Sequence, residues 1–255
     1  MRSLFISLLL LLSLASPVLA ANTPLTDYNF QLDRYRGNYA QFQVLLKDYQ
    51  AKPSLNNEQK ALLSAKQTLI HRELTMANFY LYLASLIKEN SLDHPVVARS
   101  LAELTDLTTY HFSQADAANK LLTKEELTGF TASYLAKVKT FKTAQARSQA
   151  INKFAKLYRL QQDLKRAAAA LEPSLSNKKA LIYVQSGLNQ VAEFTSSIDK
   201  ALDEAASIID QLNIEEGSLS NTYTKLSENF SSIRASQNQM AEVIIELDEN
   251  YANQN

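Results

Sequence analysis

The side chains that most often carry chemistry are sparse here: three histidines, His71, His94 and His111, and no cysteine. Di-iron bundles place a Glu three residues before a His, but those positions hold Thr68, Ser91 and Thr108. There is no His-x-x-x-His pair and no cysteine, so no transition-metal site is expected. Nor does the chain contain a Gly-rich phosphate loop, a nucleophile elbow or a Ser, His and Asp in triad order. A hydrolase would need a strained turn to present its nucleophile, and 4 Gly with 5 Pro leave little loop to supply one. No catalytic, cofactor-binding or metal-binding residue is therefore expected, and no cofactor. His94 reads as a solvated residue at a helix start, and His111, beside Tyr110 on an inner face, as a hydrogen-bonded core histidine.

The other candidate for chemistry is aromatic. Residues 27–49, DYNFQLDRYRGNYAQFQVLLKDY, place Tyr28, Leu32, Tyr35, Tyr39, Phe42, Leu46 and Tyr49 at alternating spacings of four and three. That spacing gathers all seven on one helical stripe. A seam tyrosine buries its ring while its hydroxyl reaches the rim, which suits packing between widely spaced helices. A ligand pocket would need polar groups converging from other helices. The expectation is helix packing, with a pocket near the first two helices as the alternative.

These residues must be positioned by helices. The first is predicted from about Thr26, as N-cap, to about Lys52, stopped by Pro53. The second follows a capping box at Asn56 and Gln59 and runs to about Asn90. Its stretch ANFYLYLASLI, 77–87, is apolar nearly all round, which marks the centre of the core. Asp93 as cap and Pro95 in the first turn open a third helix, with Val97, Leu101, Leu104, His111, Ala115, Ala118 and Leu122 facing inward. A capping box at Thr123 and Glu126 opens a fourth, carrying Leu127, Phe130, Tyr134, Val138 and Phe141. Residues 143–150, TAQARSQA, lack a large apolar side chain, so the helix is expected to run exposed there or to break. Apolar spacing resumes from Ile151 to Leu171 and is expected to end at Pro173.

Beyond Pro173 the four-three alternation is unbroken from Leu181 through Val184, Leu188, Val191, Thr195, Ile198, Leu202, Ala205 and Ile209 to Leu212. Continued in the same phase, it selects Glu216, Leu219, Tyr223, Leu226, Phe230, Ile233, Gln237, Met240, Ile244, Leu247 and Tyr251. One rod or a hairpin turning at 213–220 both satisfy the pattern. Preserved phase favours the rod; Gly217 and a carboxylate at seam position 216 favour the turn, and a lone rod needs a partner along its seam. The hairpin is the expectation.

The first twenty residues, MRSLFISLLLLLSLASPVLA, carry Arg2, a short apolar run and a Val-Leu-Ala ending, the pattern of a cleaved leader. The run is too short for a bilayer span. Cleavage near Ala20 would place the chain in a periplasm or outside the cell. Removing Arg2 leaves 25 basic against 26 acidic side chains, a net charge of −1, with no electrostatic footprint for nucleic acid or anionic lipid. No later run is long enough to span a membrane.

LDRYRGNYAQFQVLLKDY followed by LLSAKQTLIHRELTMANFYLYLASLI resembles an uncharacterised family of exported helical proteins from candidate-phylum bacteria, over about residues 27–90. The resemblance implies helical fold and export, and carries no activity. The combined expectation is an all-α protein: a leader at 1–20, an antiparallel bundle of long helices at 21–172, and a C-terminal coiled-coil hairpin or arm at 174–255. Its expected action is protein–protein binding or self-association through the C-terminal helices. A small-molecule sensing or carrier bundle and a pore-forming helical toxin are the alternatives.

Overall fold

The computed structural model describes residues 23–90, 93–178, 181–212 and 218–252. The expected leader at 1–20, Glu216 and Gly217 lie outside the described residues. Six α-helices, without a strand among the described residues, make up the fold: α1 (Pro24–Ala51), α2 (Leu55–Lys88), α3 (Pro95–Asn119), α4 (Lys124–Leu175), α5 (Ile182–Asp210) and α6 (Ser218–Leu247). A 3₁₀ turn, Ser176–Lys178, follows α4, and a π-helical turn, Asp248–Ala252, follows α6.

Four helix starts were predicted, and three of the caps stand elsewhere. Thr23, not Thr26, caps α1, because its hydroxyl accepts from the Thr26 amide while Pro24 fits the first helical position. Ser54 caps α2 by accepting from the Asn57 amide at 3.3 Å, and the Asn57 side chain reaches back to the Lys52 carbonyl at 2.9 Å. His94 itself caps α3, its Nδ1 accepting from the Val96 amide at 3.3 Å. The capping box at Thr123 and Glu126 is present as read.

Consecutive helices run antiparallel, as paired contacts demonstrate. Tyr28 packs on Phe79 and Gln31 meets His71 across α1 and α2, Glu103 meets Arg147 and His111 packs on Phe141 across α3 and α4, and Thr195 meets Met240 and Gly187 faces Leu247 across α5 and α6. The C-terminal helices thus form a hairpin whose heptad phase survives the turn. α4, about 78 Å long at 1.5 Å per residue, unites the molecule. Its first half lies parallel to α2, and its second half runs between α5 and α6, with Tyr223 of α6 donating to the Ala146 carbonyl at 2.9 Å. The helix does not end at Pro173 as expected but continues two residues further to Leu175, which is fully buried.

Residues 143–150 neither break the helix nor run exposed. Thr143, Ala144, Ala146, Ser148 and Ala150 are buried, because small side chains let neighbouring helices approach the α4 backbone at the point where both halves of the molecule meet. One apolar cluster runs from Tyr80, Leu83 and Ile87 through Ile151 and Phe154 to the hairpin seam. The predicted centre at 77–87 is buried at Ala77, Tyr80, Leu83 and Ile87, while Leu81 faces solvent. Two expected inner residues fall outside the core: Leu122 lies beyond the end of α3, and Leu181 precedes α5, and both are exposed. No helix among the described residues is long and apolar enough to cross a membrane.

Candidate binding groove

The aromatic stripe of α1 divides in two. Tyr28 packs against Phe79 and Tyr82, with ring centroids 5.3 and 6.3 Å away. From Tyr35 onward, Tyr39, Phe42, Leu46 and Tyr49 form one wall of a groove of about 560 Å³. α2 supplies the floor with Ala61, Leu62, Ala65, Thr68 and Leu69, and α4 the opposite wall with Leu127, Thr131 and Leu135. The stripe was expected to bury itself against a helix. It does not close because α1 packs on α2, while α4 leans on α2 from the other side, and no residue of α1 is buried. Tyr39 and Leu135 therefore remain 47% and 65% exposed on opposite walls.

One end of the groove rests on a buried ionic network. Arg72 Nε and Nη2 donate to Glu73 Oε1 at 2.9 and 2.6 Å, and His111 Nδ1 lies 2.6 Å from Glu73 Oε2. Glu73 is 1% exposed and His111 is fully buried. A buried carboxylate is tolerable only when its oxygens are bonded, and here both are. The Arg72 guanidinium lies 3.7 Å over the Tyr134 ring and reaches toward Phe130. His111 sits among Phe141, Tyr110 and Tyr80, at centroid distances of 4.7, 5.1 and 5.5 Å, and its Nε2 has no hydrogen-bond partner. The Tyr80 hydroxyl donates to the Phe141 carbonyl at 3.4 Å, and burial pushes its ionisation well above the ordinary range. Burial raises Tyr134 as well, so both phenols keep their protons.

The three histidines lie apart. His71 pairs with Gln31 Oε1 at 3.2 Å and ties α2 to α1; burial, then Arg34, depresses its pKa. His94, read as a solvated residue, packs edge-on against Phe154 and Tyr158 besides capping α3, and burial lowers its pKa. Among the described residues, no three His, Asp or Glu side chains gather as a metal site would require. A separate polar junction forms where Arg147 donates to both Glu103 oxygens at 2.9 Å and to the Leu212 carbonyl at 3.0 Å. It clamps α3, α4 and the end of α5 together.

The reading of His111 as a bonded core histidine agrees with its place, but its partner Glu73 went unread. Its signal was available: Glu73 stands four residues after Leu69 and four before Ala77, on the apolar stripe itself. No protein-family model matches this sequence, and neither a curated protein nor a solved structure is similar to it.

Proposed function

We propose that the chain is an exported, non-enzymatic helical protein that acts by binding, and that the groove between α1, α2 and α4 is its binding surface. The observation carrying this reading is α1: a 28-residue helix with an aromatic stripe and no buried residue, walling an apolar groove. Concave, mostly apolar surfaces of this size are the usual seats of ligands. Export rests on the leader pattern of the first twenty residues.

Among the described residues, the seam of the C-terminal hairpin offers no comparable groove. Val184, Val191, Ile198, Leu202, Ile209, Leu226, Ile233, Met240 and Leu247 are buried, covered by each other and by the second half of α4. Self-association through that seam would first have to strip α4 from it. The apolar groove described above lies at the N-terminal end.

Replacing Ala65 on the groove floor with Phe is the direct test. Nile red, an uncharged dye that brightens in apolar surroundings, is expected to bind the wild-type chain and to bind Ala65→Phe at least about tenfold more weakly, since a filled pocket rejects its ligand sterically. Circular dichroism should be unchanged. Equal dye binding by both would rule the groove out.

A further inference from the structure

We infer that the groove's ligand is a long single-chain amphiphile with an anionic head, the head at the Arg72 end and the tail lying toward Leu46 and Tyr49; this rests on the groove being the binding surface. The middle of the groove offers hydrocarbon and no open polar group from its threonines. Thr68, Thr128 and Thr131 donate back to the carbonyls of Ser64, Lys124 and Leu127 at 2.8, 2.9 and 2.9 Å. Their hydroxyl hydrogens are thus committed to the helix backbone rather than to a ligand. From Glu58 to Arg72 the floor extends about 21 Å at 1.5 Å per residue, the reach of a long extended chain.

Charge is confined to three side chains. Arg72, Glu58 and Lys124 are the charged groups that line the groove; a docked helix would instead meet charge along both rims. At the first end Arg72 commits Nε and Nη2 to Glu73, and its Nη1 makes no hydrogen bond among the described residues. A guanidinium carries five N–H donors in a rigid fork, so this edge has donors left for a second anion. Tyr35 and Tyr39 line the same end, and Tyr134 lies beneath the guanidinium. Glu73 already takes part of the Arg72 charge, so the contact open to the head is the Nη1 edge that Glu73 leaves unused. Away from Arg72, half-buried Glu58 and exposed Lys124 carry opposite signs, so the remainder of the groove has no net charge.

The experiment is calorimetric titration of the full chain lacking its first twenty residues with hexadecanoate, hexadecan-1-ol and hexadecyltrimethylammonium, each below its micelle concentration. Hexadecanoate should bind about tenfold tighter than the alcohol, as a charge-assisted contact to Arg requires, and the ammonium weakest. Arg72→Gln should bring the carboxylate and alcohol to near equality. Should that variant unfold, Tyr35→Phe with Tyr39→Phe, which removes only hydroxyls, should still narrow the preference about threefold. Equal affinity for carboxylate and alcohol in the wild type, or tighter binding of the ammonium, overturns the anionic head while leaving the groove reading intact. Failure of all three probes to bind overturns both.

Discussion

Removing the Glu73 carboxylate tests whether the network under the groove is a structural keystone. Glu73→Leu deletes the acceptor of three short contacts, two from Arg72 and one from His111. Arg72 keeps its stack on Tyr134 and some contact with water, its side chain being 15% exposed. His111, fully buried, keeps nothing at Nδ1, and its Nε2 is already unpartnered. An orphaned buried donor costs about 1–3 kcal/mol, and breaking a buried pair from one side about 3–5 kcal/mol, so a loss near the upper range is expected. His111→Leu leaves Glu73 bonded to Arg72 and should cost about 1–3 kcal/mol. In the double variant both members of the contact are apolar, and the loss should fall short of the sum of the singles by about 1–3 kcal/mol. Urea unfolding followed by circular dichroism supplies all four values of the cycle. Strict additivity, or a Glu73→Leu loss under about 1 kcal/mol, would refute the keystone.

Other positions follow the same logic. Ala144 is fully buried, so Ala144→Leu should cost about 1–3 kcal/mol by overpacking; urea unfolding would show no change if 143–150 were exposed. A Cβ on Gly187 would stand 2.9 Å from Leu247 Cδ2 and 3.2 Å from its Cγ, so Gly187→Val should lower the thermal midpoint, and adding Leu247→Ala should recover part of the loss. His94 and His71 both have pKa values held below the unfolded value by burial. The folded state thus binds fewer protons than the unfolded state as pH falls below about 6.5. Stability should be fully present above that pH and decline through the window down to the folded values. His94→Asn keeps a capping side chain, and its denaturation midpoint between pH 7 and 5 should fall less than that of the wild type.

Periodicity carries further in this sequence than composition does. The seam from Val184 to Leu247 was readable because nine heptads of apolar side chains must be buried along one stripe, and Gly217 with Glu216 in the sequence marked where the chain could turn back on itself. Helix starts were less legible, since Thr23 and Thr26, or Ser54 and Asn56, are chemically equivalent caps whose choice depends on where the preceding chain enters. Residues 143–150 were misread for a related reason: smallness signals exposure only if nothing approaches, and the approach of other helices is a tertiary fact.

The groove follows from that same limit. A stripe such as Tyr35, Tyr39, Phe42, Leu46 and Tyr49 states that one face of α1 is apolar; it cannot state how many helices will cover it. Three determinants decide the outcome, and they lie far apart in sequence. Glu73 binds His111 and pulls α3 onto one side of α2. Arg72, held by the same Glu73, stacks on Tyr134 and fixes α4 beside it. Gln31 meets His71 and seats α1 on α2. With α2 engaged on three sides, α1 and α4 stand apart on either side of Ala61, Ala65 and Leu69, and the space between them stays open. The ionic network that holds the bundle together is thus also what keeps the groove from closing. This couples the keystone test to binding: Glu73→Leu should weaken Nile red binding as well as stability, because the guanidinium that braces α4 loses its anchor. A variant that lost stability by the expected amount yet bound dye unchanged would show that the groove holds its shape by other contacts.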